Sequence, residues 1–308
     1  MNPSFMRIGI LLSALLLVIA CAKPQYVLEE TRPTLAEIKT RDSGYVRNTV
    51  LAPQTETPGS FLRQAGDRLA ETVVDTIQAK GKDVRLTIPG HKGFPEVLTL
   101  GAPFGVPEQR FDVATTVRLA GYHHLVQVSV RDVRVFERQT GIWWFRKMRY
   151  FVTVAASIDV YDTFTAAKVV SQVVEKTVQI DPNTYETFLD GIRNAFPAVD
   201  EAIRGIGRQF GRQAVGAIQT TPWKAAVTAI DGPHIILATG REAGPRVGDR
   251  WAVFEGRRTI AGHDGERFLV PGYKVGVIEV VATADGRVQA IAKDGGDFQV
   301  GDIAVPVK

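Results

Sequence analysis

A single cysteine in 308 residues cannot close an internal disulfide, and it cannot build a cysteine-rich zinc site. Disulfide scaffolds and zinc ribbons are therefore excluded. Excess charge of one sign is also missing. Thirty-seven basic and 33 acidic side chains leave a net charge of +4, and the basic residues are spread along the chain. Nucleic-acid binding would need a concentrated basic patch. There is no GxxxxGK[ST] phosphate loop, no HExxH and no GxSxG, so the common motifs for nucleotide, zinc-protease and serine-hydrolase chemistry are absent. With 45% hydrophobic residues the composition is that of a folded chain, not a disordered one. At roughly 100–200 residues per domain, the length suggests about two domains.

Long apolar runs are scarce as well, and the exception is informative. Arg7 precedes Ile8–Ala20, a largely apolar run that ends in a small residue directly before Cys21. It is shorter than the ~20 residues needed to span a bilayer and fits a secretory h-region. The order of basic residue, apolar run, small residue and cysteine resembles a bacterial lipobox. That resemblance implies cleavage before Cys21, a signal peptide over 1–20 and a lipidated Cys21. Ala22 follows the cysteine, and by the same resemblance this implies export to the periplasmic face of the outer membrane. Several acyl chains give stable anchoring where one is only marginal.

Residues 21–59 are polar and proline-rich and are expected to form a lipidated tether, in which Tyr45 to Leu51 could pack locally. Ser60 reads as a helix cap. Leu62, Ala65, Leu69, Val73 and Ile77 follow at helical spacing until Gly81. Asp83–Ile88 alternates as a strand, and 89–110 reads as a long loop rich in proline and glycine. Val126, Val128 and Val130 alternate with polar residues, while Val133 and Val135 take the opposite parity. That slip predicts a bulge at Arg131–Asp132. Glu137–Gly141 reads as a turn, Tyr150–Val160 as the return strand and Lys168–Ile180 as a third. The expectation is an antiparallel meander rather than a doubly wound parallel sheet.

Helices are expected over 184–196 and 198–220, divided by Pro197. Arg204, Arg208 and Arg212 should form a solvated stripe, and Gly205, Gly207 and Gly211 a closely packed face. Six short β-like runs then follow within 225–307. The turns at Gly248–Asp249 and Gly301–Asp302 echo one another as corners into strands. Many short strands with such turns predict a small barrel. The expected class is α+β, an antiparallel or mixed sheet with packed helices over 60–220 followed by a small SH3-like barrel over 221–308.

Catalytic chemistry is not expected. His123 and His124 are adjacent, so in a strand they face opposite ways and cannot share a metal. His91, His234 and His263 are isolated. Asp159 and Asp162 read as turn residues. No enzyme activity, cofactor or metal is assigned. The most unusual local feature is Gly141-Ile142-Trp143-Trp144-Phe145-Arg146-Lys147-Met148-Arg149. Either Trp143 and Phe145 pack on the sheet while Trp144 and Arg146 lie outside, or Trp143, Trp144, Phe145 and Arg146 form a contact surface for a protein partner or a membrane headgroup layer.

The stretch RLAGYHHLVQVSVRDVRVFE…RYFVTVAASIDVYDTFTAAKVV resembles the middle domain of the flagellar T-ring assembly family. It also resembles the related domains of curli secretion lipoproteins and of TolB N-terminal regions. Trp223–Val227, Val247-Gly248-Asp249, Lys274–Ile278 and Val300-Gly301-Asp302 extend the resemblance into the barrel of the T-ring family. The resemblance covers roughly 60–308. It implies a ring-forming α/β domain, homo-oligomerisation and protein partners in an envelope machine, with the flagellar basal body first. The alternatives are a curli-type or exopolysaccharide export ring and a periplasmic binding module.

Overall fold

A computed structural model describes residues 44–52, 61–99, 106–190, 197–240, 244–284 and 286–307. Cys21 and Ser60 lie outside them. The first described element corrects the sequence reading. Arg47–Leu51 (β1) is not part of a tether. It is a strand inside a five-stranded sheet, buried at every position. It pairs in parallel with Val84–Thr87 (β2) on one side and with His124–Thr140 (β3) on the other. β3 continues the sheet by antiparallel pairing with Lys147–Asp162 (β4), which pairs with Lys168–Ile180 (β5). The order is β2-β1-β3-β4-β5, so the meander is antiparallel and the sheet as a whole is mixed.

The predicted bulge is present, with the β3–β4 register shifting between Val130 and Asp132. The predicted turn at Glu137–Gly141 is displaced. β3 runs on to Thr140, which pairs with Lys147, because alternation weakens there while backbone pairing does not.

One face of the sheet carries Phe61–Lys80 (α1) and Pro197–Thr220 (α5). α1 buries Ala65, Leu69, Val73 and Ile77, four of the residues that its spacing marks. α5 buries Ile203, Ile206, Phe210, Ala214 and Ile218, while Arg204, Arg208 and Arg212 are exposed. The two helices approach closely at the predicted glycine face. A Cβ on Gly207 would meet the Thr72 Cβ at 2.7 Å, and one on Gly211 would meet the Thr76 Cβ at 2.5 Å. Between β2 and β3 the expected loop contains two helices, the short Glu96–Thr99 (α2) and Pro107–Leu119 (α3). α3 escapes detection because it starts on a proline among breakers and mixes polar with apolar residues. Pro182–Leu189 (α4) opens on Asp181, whose carboxylate accepts from the Thr184 amide at 2.9 Å.

The C-terminal part forms a closed barrel. Ala225–Asp231 (β6), His234–Ala238 (β7), Arg250–Phe254 (β8), Lys274–Ala284 (β11), Arg287–Gly295 (β12) and Ile303–Pro306 (β13) close in the order β11-β12-β7-β6-β13-β8. All six predicted runs are strands. A side hairpin of Thr259–Ala261 (β9) and Arg267–Leu269 (β10) was not expected. The two echoing corners share one construction. Asp249 Oδ2 accepts from the Arg246 amide at 2.7 Å, and Asp302 Oδ2 accepts from the Gln299 amide at 2.8 Å. The fold is thus α+β, a mixed sheet with packed helices followed by a barrel, and both belong to one compact unit.

Candidate functional site

The β3–β4 hairpin is the longest pairing among the described residues, with strands of 17 and 16 residues. β5 accompanies β4 only from Tyr150, which pairs with Ile180. The rungs from Arg138–Arg149 to Thr140–Lys147 therefore extend past the third strand. Two contacts stiffen the base: Phe136 stacks on Phe151 across the strands at 5.4 Å, and Tyr150 packs on Tyr185 of α4 at 4.7 Å. At the tip, Trp143–Phe145 forms a single 3-10 turn, closed by the Phe145 amide donating to the Ile142 carbonyl at 3.0 Å. Trp143 has φ 49°, a left-handed conformation that is a genuine outlier for a bulky residue.

This tip settles where the aromatic run lies. Ile142, Trp143, Trp144 and Phe145 are 84%, 74%, 71% and 73% exposed. The reading in which Trp143 and Phe145 pack on the sheet does not hold, because the hairpin lifts them beyond any sheet face. The rings contact one another instead, Trp143 with Trp144 at 4.5 Å and Trp144 with Phe145 at 6.1 Å. Arg146 is exposed beside them. Arg138, Arg146, Lys147 and Arg149 flank the rings in sequence, and no acidic residue occurs from 138 to 149.

The second concentration of chemistry is a buried seam joining sheet to barrel, which sequence reasoning missed. Tyr45, just before β1, enters the barrel core beside Trp223 and Trp251, and its hydroxyl donates to the Asp249 carboxylate. Trp223 Nε1 donates to the Val46 carbonyl at 3.2 Å, and Asn48 Nδ2 to the Thr239 carbonyl at 3.1 Å. Phe164, in the β4–β5 turn, packs with Ala226, Phe254 and Leu269 of the barrel part. Asp162 does fill its predicted turn role, accepting from the Phe164 amide at 2.9 Å. It also accepts from Lys224 Nζ at 2.7 Å. Burial works against its ionised form, but the Lys224 ammonium, His124 and these hydrogen bonds outweigh it and hold the carboxyl below the usual range.

His123 and His124 are both buried in this seam. His123 Nδ1 accepts from the Asn48 amide at 3.1 Å. Burial first, then the neighbouring charges of His124 and Arg47, push His123 down to about 3. Burial is also the leading cause for His124, pushed down to about 4. Both are neutral imidazoles at neutral pH. Among the described residues no group of three or more His, Cys, Asp or Glu side chains could hold a metal, and no helix is long and apolar enough to cross a membrane.

No family model matches the chain, and no curated protein matches it. Among solved structures, similarity is found to the hypothetical protein CT253 from Chlamydia trachomatis, at 15% identity over 56% of this chain and 96% of that one, with a TM-score of 0.33. The PelC dodecamer from Paraburkholderia phytofirmans is similar at 12% identity over 62% and 94%, with a TM-score of 0.28. A minor lipoprotein from Acinetobacter baumannii is similar at 9% identity over 55% and 93%, with a TM-score of 0.29. Overlaps of this size carry no functional argument.

Proposed function

We propose that the protein is a lipid-anchored, non-enzymatic assembly component of a cell-envelope machine, held by Cys21 at the periplasmic face of the outer membrane. The observation that carries the reading is the hairpin tip. Three large aromatic side chains, each more than 70% exposed, sit at the end of a two-stranded arm whose sequence continues with Arg146, Lys147 and Arg149. Aromatic residues and arginine dominate the energetics of protein interfaces. An exposed apolar cluster of this kind marks an interaction site. The resemblance of residues 60–308 to the T-ring family favours the flagellar basal body as the machine. The seam supports a structural role, since sheet and barrel are bound as one body that can present two surfaces in fixed relation.

The anchor is tested by replacing Cys21 with Ser. The variant should leave the membrane fraction, and unchanged partitioning would remove the anchor. Mass photometry of the purified protein addresses the export-ring alternative. A closed ring formed without partners would favour that reading over the basal body.

A further inference from the structure

A cleft of about 380 Å³ opens where sheet and barrel meet. Its walls come from both. β2, an edge strand, contributes Arg85 and Thr87, which share one face because they are two residues apart. The loop after β2 contributes Lys92, and Tyr122 fixes that loop by donating its hydroxyl to the Gly93 carbonyl at 2.6 Å. The barrel contributes Arg287, which opens β12 opposite Ala238. Among the described residues the cleft is lined by Arg85, Lys92 and Arg287 and by no carboxylate. Lys92 and Arg287 make no ion pair among the described residues, and the Thr87 hydroxyl has no hydrogen-bond partner there.

Part of the wall is bare backbone. Gly121 and Gly240 meet with φ of 88° and 74°. A Cβ on Gly121 would lie 2.6 Å from the Gly240 nitrogen, and one on Gly240 would lie 2.0 Å from Asn48 Nδ2. Side chains are therefore excluded where the two parts touch, and the cleft above stays open.

We propose that this cleft binds a small phosphate monoester, its dianion held by Lys92 and Arg287. The Arg287 guanidinium presents a planar fork suited to phosphate oxygens. Lys92 adds a second cation to the same cleft. The volume leaves room for an organic part, for which the Thr87 hydroxyl and the Asn48 amide oxygen are available. The phosphoryl group can belong to a soluble ester or to a lipid headgroup. The site is independent of what the hairpin tip contacts.

The test uses the full-length protein in detergent. Calorimetric titration with sn-glycerol 3-phosphate should show saturable binding, one molecule per chain. The K92Q/R287Q double variant should bind at least about tenfold more weakly, as expected on losing charge-assisted hydrogen bonds. R138Q/R149Q, which removes the same charge at the hairpin, should bind as wild type. In a parallel arm, vesicles containing phosphatidic acid should be bound through Lys92 and Arg287 if the source is a lipid. Dependence on these residues in either arm supports the site. No saturable binding in either arm overturns it, and so does equal weakening by the two double variants. Should K92Q/R287Q fail to fold, hydrogen exchange of the wild type decides. Ester-dependent protection at 85–93 and 286–287 is expected, and its absence there contradicts the proposal.

Discussion

Lys224 Nζ lies 2.7 Å from Asp162 Oδ2, with both side chains under 10% exposed. This pair links the end of β4 to the residue before β6, across the seam. A buried ion pair is weak evidence of net stability, but breaking it leaves an uncompensated charge. Lys224→Met or Asp162→Asn should each cost roughly 3–5 kcal/mol in chemical denaturation. The double variant should lose much less than the sum of the two. Additive losses would mean that the two charges are stabilised separately.

Acid should loosen the same seam. His123 and His124 are held down to about 3 and about 4 in the folded chain, against about 6.5 for a free imidazole. Below pH 6.5 the unfolded chain takes up protons that the folded chain refuses. Stability should therefore fall as pH drops from about 6.5 towards 4, by ~1.4 kcal/mol per pH unit for each histidine. Asp162, lowered in the folded state, adds a further loss only below the ordinary carboxylate range. Denaturation series across these pH values check the slope. His124→Phe should remove about half of it between pH 6 and 5, as one of two titrating groups.

The glycine face of α5 should tolerate no added carbon unless its neighbour shrinks. A Cβ at position 211 would sit 2.5 Å from the Thr76 Cβ, and the nearby carbonyl oxygen of Val73 is 3.2 Å away. Gly211→Ala should destabilise by about 1–3 kcal/mol through overpacking. Adding Thr76→Gly should recover part of that loss, which a double-mutant cycle in thermal or chemical denaturation would measure. Gly216, with nothing within 4 Å of its Cβ position, should accept Ala with a small gain.

The hairpin tip should behave in the opposite way. Trp143, Trp144 and Phe145 contact one another and little else, so replacing all three with Ala should change folding stability by no more than about 0.5 kcal/mol. A larger loss would show that the rings serve the fold rather than a partner.

Local pattern carried much of this architecture. Leu69, Val73 and Ile77 fixed the face of α1. The parity change after Val130 located the bulge, and the Gly-Asp pairs located two barrel corners. β1 escaped because Arg47–Leu51 is short and its pairing is parallel to strands far away in the chain, with no turn to announce it. α3 escaped because proline and glycine before it mask a helix of mixed character. The ion pair and the cationic cleft escaped for a related reason. Lys224 and Asp162 are 62 residues apart, and Arg287 reaches the β2 side only through closure of the barrel and its docking on the sheet. The aromatic tip was visible as composition, but its exposure depended on where β3 and β4 end.

Under the proposed function, the hairpin tip docks the protein into an envelope machine. The most direct measurement isolates flagellar basal bodies from cells carrying either the wild-type protein or the Trp143→Ala/Trp144→Ala/Phe145→Ala variant. The wild type should co-purify with the basal bodies, while the variant should be lost from them and stay in the membrane fraction. Absence of the wild type from basal bodies, or full retention of the variant, would contradict it.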